Sequence, residues 1–261
     1  MGVLKSLPLF VSGPALIAVL VTLSILSLNW FRRDQLPRLR FGHGDSDFNA
    51  AMLASIMVFY GLAAALTAVH VWEVYEKVEQ ITRHEATSLA VLYRNVSGYP
   101  EPVRSVLRED LRAYTDQVIR EAWPLQRRGI VPHGGVDHMD NFQADLYRFE
   151  PTTGAQRILA FEAVASYSRM MEARRMRVDS VERRLPGVMW VVIVLGAVIS
   201  IASSFFFTVL DARVHRIQVG LLAAFIGLVI FIIFALDQPY QGGIGLPSTP
   251  YQIIYEQLMT H

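Results

Sequence analysis

Residues 49–94, NAAMLASIMVFYGLAAALTAVHVWEVYEKVEQITRHEATSLAVLYR, decide the fold of this chain. From Ala51 the stretch is apolar for the length of a bilayer crossing and passes Trp72, a residue type enriched at membrane interfaces. It then runs on as a charged helix without a further Pro or Gly. The pattern predicts one helix that joins the bilayer to a soluble domain.

Working outward, the composition agrees with a membrane protein. The chain has 261 residues, of which 52% are hydrophobic, against about 45–50% in an ordinary soluble domain even when Gly is counted. The excess is concentrated in four windows of spanning length, at 10–30, 51–72, 187–210 and 217–236. The expected fold is an all-α integral membrane protein with four transmembrane helices and a helical soluble domain between spans two and three. The expected divisions are 1–72 for the first two spans, 73–186 for the soluble domain, 187–236 for spans three and four, and 237–261 for a turn and a short amphipathic helix. A formal net charge of +1 gives no reason to expect a nucleic-acid partner. The absence of cysteine excludes disulfides, thiolate metal sites and a Cys nucleophile. The N-terminal run is read as a span rather than a signal peptide, because it lacks an Ala-x-Ala site and ends in Trp30-Phe31-Arg32-Arg33, an anchor with flanking cations.

Along the second span Ala54, Gly61, Ala64, Ala65 and Ala68 fall at helical spacing. Small residues let helix backbones approach in a bilayer, so this face serves either ordinary helix packing or a helix that lines a pore in an oligomer. Further on, Thr67, His70, Glu73, Lys77, Gln80 and His84 recur three or four apart and predict a polar stripe. The stripe is either an interfacial zone followed by a solvated face, or the lining of a vestibule in which Glu73 and Glu76 form acidic rings favouring cations.

The remaining chain divides at its Pro and Gly residues. The connector after span one reads as a loop, with Asp47 or Asn49 placed to cap the second span. In the soluble region, a helix over residues 102–123 carries Val103, Val106 or Leu107, Leu111, Tyr114, Val118 and Trp123 at helical period, and Pro124 opens a loop. Helices over residues 137–149 and 155–184 follow, the second carrying Ile158, Phe161, Ala165, Tyr167 or Ser168, and Met171. In HGGVDHMD, residues His133, Asp137, His138 and Asp140 are metal-ligand types, but their spacing fits no standard site, and they read as a solvated loop. Span three opens at Pro186 and is anchored by Trp190; its Ser200, Ser203, Ser204 and Thr208 can bond back to the helix. A tight turn, LDARVHRI, leads to span four, which closes with Leu236-Asp237-Gln238-Pro239-Tyr240-Gln241-Gly242. That run places Asp237, Pro239 and Gly242 in a turn at the membrane edge. At Thr249-Pro250-Tyr251-Gln252 a capping box is predicted, with Thr249 as cap and Pro250 first in the helix. The short helix then shows Tyr251, Ile254, Tyr255 and Leu258 on one face, for docking on the soluble domain or lying at the interface.

Several segments together resemble a known family: VFYGLAAALTAVHVWEVY, RHEATSLAVLYRNVSGYP, EAWPL, RLPGVMWVVIVLG and LDQPYQGGIGLPSTPYQ. The likeness covers residues 50–258 and is to a bacterial membrane family of unassigned function that is grouped with the bestrophins as bestrophin-like. Bestrophins are pentameric ion channels, usually for anions, whose second helix lines the pore and whose helical cytosolic domain continues the conduit. The resemblance implies a homo-oligomer, a pentamer by analogy, with the lipid bilayer and inorganic ions as partners. By that analogy Ile56, Phe59, Tyr60, Ala63 and Thr67 are neck candidates, and with His70 and Glu73 of the polar stripe they make up the pore-lining candidates. It also implies a multi-pass protein of the bacterial inner (plasma) membrane. Calcium-responsive bestrophins carry an acidic run after the fourth span, where this chain has only Asp237, so calcium gating is not implied.

The cations divide between the two sides of the membrane. Arg32, Arg33, Arg38, Arg40, Arg213 and Arg216 lie on the short connectors; Lys5, Lys77, Arg83 and the six Arg between Arg169 and Arg184 lie opposite. This balance favours a cytoplasmic soluble domain. No nucleophile elbow, phosphate loop or His-Glu-x-x-His is present, and the neighbouring Glu109 and Asp110 point to different helix faces. No enzyme activity, cofactor or metal is expected. The reading that competes with a channel is a non-conducting membrane scaffold or sensor whose helical domain binds a partner.

Overall fold

A computed structural model describes residues 9–35, 45–132, 134, 136–207 and 211–260. Among these residues every regular element is helical: α1 (Leu9–Asp34), α2 (Asp45–Val96), α3 (Val103–Gln117), a π-turn (Val118–Ala122), α4 (Trp123–Arg127), α5 (Val136–Arg148), α6 (Gly154–Ser180), α7 (Gly187–Ser203), a 3₁₀ turn (Ser204–Phe206), α8 (Ala212–Leu236), α9 (Thr249–Ile254) and a final π-turn (Tyr255–Met259). Four helices are long and apolar enough to cross a membrane, beginning at Val11, Asp47, Gly187 and Ala212. The protein is an all-α membrane protein. It divides into two compact units, one of residues up to Val74 with Arg184–Asp237, the other of Tyr75–Arg183 with Gln238–His261.

In the first unit the helices meet through small residues. A methyl group on Gly13 would lie 2.9 Å from the Phe231 ring, and one on Gly196 would lie 2.6 Å from Tyr60, so both glycines are required by close approach of an aromatic side chain. Leu28, Tyr60, Ala64, Ala197, Ile201, Phe205, Val219, Ala223 and Ile226 form the core. Ser200, Ser203 and Ser204 donate back to the carbonyls of Gly196, Ile199 and Ile201; Thr208 lies outside the described residues. The fourth span begins earlier than expected, within the LDARVHRI segment. Asp211 caps α8, accepting from the Arg213 N–H at 2.7 Å, and residues from Ala212 onward are already helical. At the start of α2, Asp45 already lies in the helix, so Asp47 and Asn49 are inside it rather than capping it. Asn49 Nδ2 donates to the Phe206 carbonyl at 3.1 Å instead.

The second unit has its own core. Val78, Leu89, Leu92, Leu107, Leu111, Met139, Phe142, Ala163 and Met170 are fully buried, joined by Trp123, Tyr240, Leu246 and Tyr251. On α3 the period selects Leu107, buried, over Val106, which is 44% exposed. Pro124 does not end the helical path. The π-turn shifts the register, so the Trp123 N–H bonds the Val118 carbonyl, and Pro124 sits in the first turn of α4, where its missing N–H is not needed.

The inward face of α6 is rotated from the one its large apolar residues mark. Ile158 and Phe161 are 74% and 77% exposed, whereas Ala163, Ser166, Tyr167, Met170, Ala173 and Arg177 are buried. The small side chains allow close packing there. Thr153 caps α6 with Gln156 as its reciprocal partner. Asp137, His138 and Asp140 lie in α5 rather than in a loop; His133 is outside the described residues. At the C-terminus Ser248, not Thr249, is the cap, and Pro250 falls within the first helical turn. Gln252 reaches back to the Ser248 hydroxyl at 3.1 Å. The C-terminal helix docks on the core of this unit, burying Tyr251 and Met259 with Ile254, Tyr255 and Leu258 half-buried beside them.

Candidate functional site

The residues singled out on α2 fall on different faces. Tyr60 and Thr67 turn into the first unit with Ala64 and Val71, all four at most 8% exposed, and the Thr67 hydroxyl donates to the Ala63 carbonyl at 2.8 Å. Ile56 and Ala63 are half-buried at the edge of this face. Phe59, His70 and Glu73 are exposed, in register with Leu62 and Leu66, so one strip of α2 is uncovered by the other described helices of the first unit. Thr67 therefore leaves the polar stripe: it lies at the buried edge of the face, 2% exposed, whereas His70, about 60° away around the helix, is exposed. Gly61 and Ala65 are also exposed, and a methyl group on Gly61 would meet nothing within 4 Å. Within the second unit Lys77, Gln80 and His84 are exposed on the same helix.

The turn after α8 is built in two parts. In the first unit, Asp237 Oδ1 accepts the Leu185 N–H at 2.6 Å, and the Asp237 N–H closes α8 on the Ile233 carbonyl. This carboxylate ties the end of one span to the approach of another. In the second unit, the Leu246 N–H returns to the Pro239 carbonyl at 2.8 Å, and Gly242 takes φ +74°, a left-handed conformation that suits glycine. Trp123 Nε1 donates to the Leu246 carbonyl at 3.0 Å and Tyr75 Oη to the Ile244 carbonyl at 2.9 Å. Both bonds hold the turn to the helices of its unit.

Sequence reasoning missed a buried charge cluster in the second unit. Glu85 and Arg177 are 0% and 1% exposed and paired at 2.6 Å. Arg177 Nε and Nη2 donate to the two carboxylate oxygens, and Tyr114 Oη donates to Oε1 at 2.7 Å. The Arg177 guanidinium also lies 5.8 Å from the centre of the Tyr251 ring. Burial opposes the charge on Arg177; the Glu85 carboxylate, then Tyr251 and Tyr114, outweigh it, and the guanidinium stays protonated well above its usual range. Burial, with Glu85 adding to it, pushes the Tyr114 hydroxyl up. Next to the pair, Ser180 Oγ and Tyr240 Oη share a hydrogen bond at 2.8 Å, and Tyr240 and Tyr251 flank Trp123. The one signal in the sequence was Glu85 standing at the apolar period of Val78, Leu89 and Leu92. Nothing local pointed to Arg177.

The family comparison bears on the whole of this architecture. A model of the Bestrophin-like domain matches residues 18–251, nearly the full chain. The chain belongs to the bestrophin-like family. The match extends into both units and takes in three candidate spans whole and most of the first, in agreement with the resemblance carried by the α2 and LDQPYQGG segments. Comparisons of this bestrophin-like protein with curated proteins and with solved structures returned no match.

Proposed function

We propose that this bestrophin-like protein is a homo-oligomeric ion channel of the bacterial plasma membrane, a pentamer by family analogy, with the second unit in the cytoplasm and α2 lining the central axis. One observation carries the reading: the strip through Phe59, Leu62, Leu66, His70 and Glu73 is left uncovered by the other described helices of the first unit. It also changes along one unbroken helix from apolar to polar and charged. Repeated around an axis, its apolar part forms a narrow neck and its polar part a vestibule. Phe59, His70 and Glu73 face the axis in this arrangement, Ile56 and Ala63 flank them, and Tyr60 and Thr67 support the helix from behind. A ring of Glu73 carboxylates would favour cations. No catalytic step, cofactor or metal enters the reading.

Planar-bilayer recording of purified protein, paired with its mass in detergent, tests the proposal. The expected result is a ring-sized assembly with unitary conductance and an ion preference changed by Glu73→Gln. A correctly assembled oligomer without conductance overturns it. The alternative, a non-conducting scaffold or sensor, is favoured by the exposed Ile158 and Phe161 on α6, an apolar surface that a partner would cover. It predicts a monomer or dimer in the same mass measurement.

A further inference from the structure

At the connector end of the first unit, three chain segments meet on one imidazole. His215, in the first turn of α8, is 2% exposed. Its Nε2 lies 3.0 Å from the Ser204 carbonyl of the 3₁₀ turn, and its Nδ1 lies 3.2 Å from Arg32 Nη1 in the last turn of α1. The partners dictate the state of the ring. A carbonyl oxygen can only accept and a guanidinium can only donate, so Nε2 carries the hydrogen and Nδ1 offers a lone pair. Only the neutral Nε2–H tautomer satisfies both contacts.

The surroundings supply no carboxylate to the ring among the described residues. Asp211 is spent on the Arg213 N–H at 2.7 Å, and Arg216 Nε donates to the Ala212 carbonyl at 3.2 Å. Arg33 and Asp34 on α1, Asp47 on α2, and Arg213 and Arg216 on α8 are exposed. The charged group bonded to the ring is Arg32. Beside it, Phe31 packs on Phe205 and Phe206 at 5.9 and 5.1 Å between ring centres, and Asn49 holds the Phe206 carbonyl. The ends of α1 and α2 are thus fastened to the turn between α7 and α8 at one place.

We propose that His215 is a proton-operated latch: the neutral ring holds the end of α1 on the α7–α8 turn, and a proton taken up at Nδ1 releases Arg32 and that end of the helix. The proton comes from water and occupies the lone pair that Arg32 had used. Two donors then face each other and two positive charges stand in contact, while the Nε2–H bond to Ser204 survives. Arg32 is half-buried, so its departure exposes Nδ1 to water. With Arg32 leaves Phe31, which is the packing of α1 on Phe205 and Phe206. The device is a property of the first unit and does not depend on the channel reading.

The chain lacks cysteine, so spin labels at Arg33→Cys and Arg213→Cys report the α1–α8 separation in the full-length protein in lipid nanodiscs. The expected result is a short, narrow distance distribution at about pH 8 that lengthens and broadens by about pH 5, the range over which histidine changes charge. In Arg32→Gln the distance should hold steady, because an amide can donate to a bare Nδ1 and accept from a protonated one. His215→Gln, which does not titrate, should be equally insensitive. Nitrogen-15 spectra of labelled histidine should show the Nε2–H tautomer at the higher pH. An unmoved label pair in the wild type overturns the proposal. So does a shift that survives in either variant, or an Nδ1–H ring.

Discussion

Replacing Glu85 by Gln is the sharpest test of the second unit. The change keeps the size of the side chain and removes one charge from a site where Glu85 and Arg177 are 0% and 1% exposed. Three donor contacts converge on that carboxylate: Arg177 Nε at 2.6 Å, Arg177 Nη2 at 3.2 Å and Tyr114 Oη at 2.7 Å. An amide has one oxygen to offer them, and its NH₂ group faces donors. The Arg177 charge is left buried without its counter-ion, a defect that costs about 3–5 kcal/mol. In a unit of this size each kcal/mol is worth about 3–5 °C, so the melting temperature should fall by about 10–25 °C. Heating the detergent-solubilised protein while following tryptophan fluorescence reads the change, since Trp123 packs on Tyr240 and Tyr251 beside the cluster. Removing the whole cluster separates the charge effect from general damage. The triple variant Glu85→Leu, Arg177→Met, Tyr114→Phe removes both buried charges and the hydroxyl that Glu85 had accepted from, and should recover most of the loss, because well-packed apolar replacements of buried ion pairs are often neutral or stabilising. A Glu85→Gln loss below about 1 kcal/mol, or a triple variant no better than the single, refutes the reasoning.

Three further outcomes are expected. Gly245→Ala should destabilise by about 1–3 kcal/mol, because the added methyl would lie 2.5 Å from the Tyr240 carbonyl oxygen in a backbone that cannot swing aside; an unchanged melting temperature contradicts that contact. Asp110 is held above the usual carboxylate range by burial, then by Asp145, with Glu109 adding and His138 opposing. Its raised value means that its stabilising contribution is present below about pH 4 and lost as pH rises through the raised value. Asp110→Asn should therefore stabilise the protein at neutral pH, on the order of 0.5 kcal/mol after solvent screening, with the gain vanishing below about pH 4; a pH-independent difference speaks against this origin. A methyl at Gly61 would meet nothing within 4 Å among the described residues, so Gly61→Ala should leave the protomer's melting temperature unchanged, while Gly61→Leu at the same exposed position should lower the mass in detergent if another copy packs there. An unchanged oligomer would assign that face to lipid.

How much of this was legible without coordinates depends on how far apart the interacting residues stand. The four spans, the helical class and the unbroken α2 follow from local composition and period, and these expectations match the structure. The family resemblance was legible for a related reason, since it rests on contiguous segments such as LDQPYQGG. Local rules failed where tertiary contacts override them. The π-turn absorbs Pro124, and the inward face of α6 runs through Ala163, Ala173 and Arg177 rather than through Ile158 and Phe161.

The candidate site divides along the same line. The sequence by itself determined that residues 56–84 form one helix with an apolar and then a polar stretch, because helical periodicity needs only neighbours. Tertiary structure alone decided that Tyr60 and Thr67 turn inward while Phe59, His70 and Glu73 stay uncovered, since the choice depends on where α7 presents Gly196. It also decided that Glu85 meets Arg177, 92 residues away, and that Arg32 meets His215, 183 residues away. A buried polar group must find a partner wherever the folded chain brings one, and no spacing along the sequence encodes that meeting.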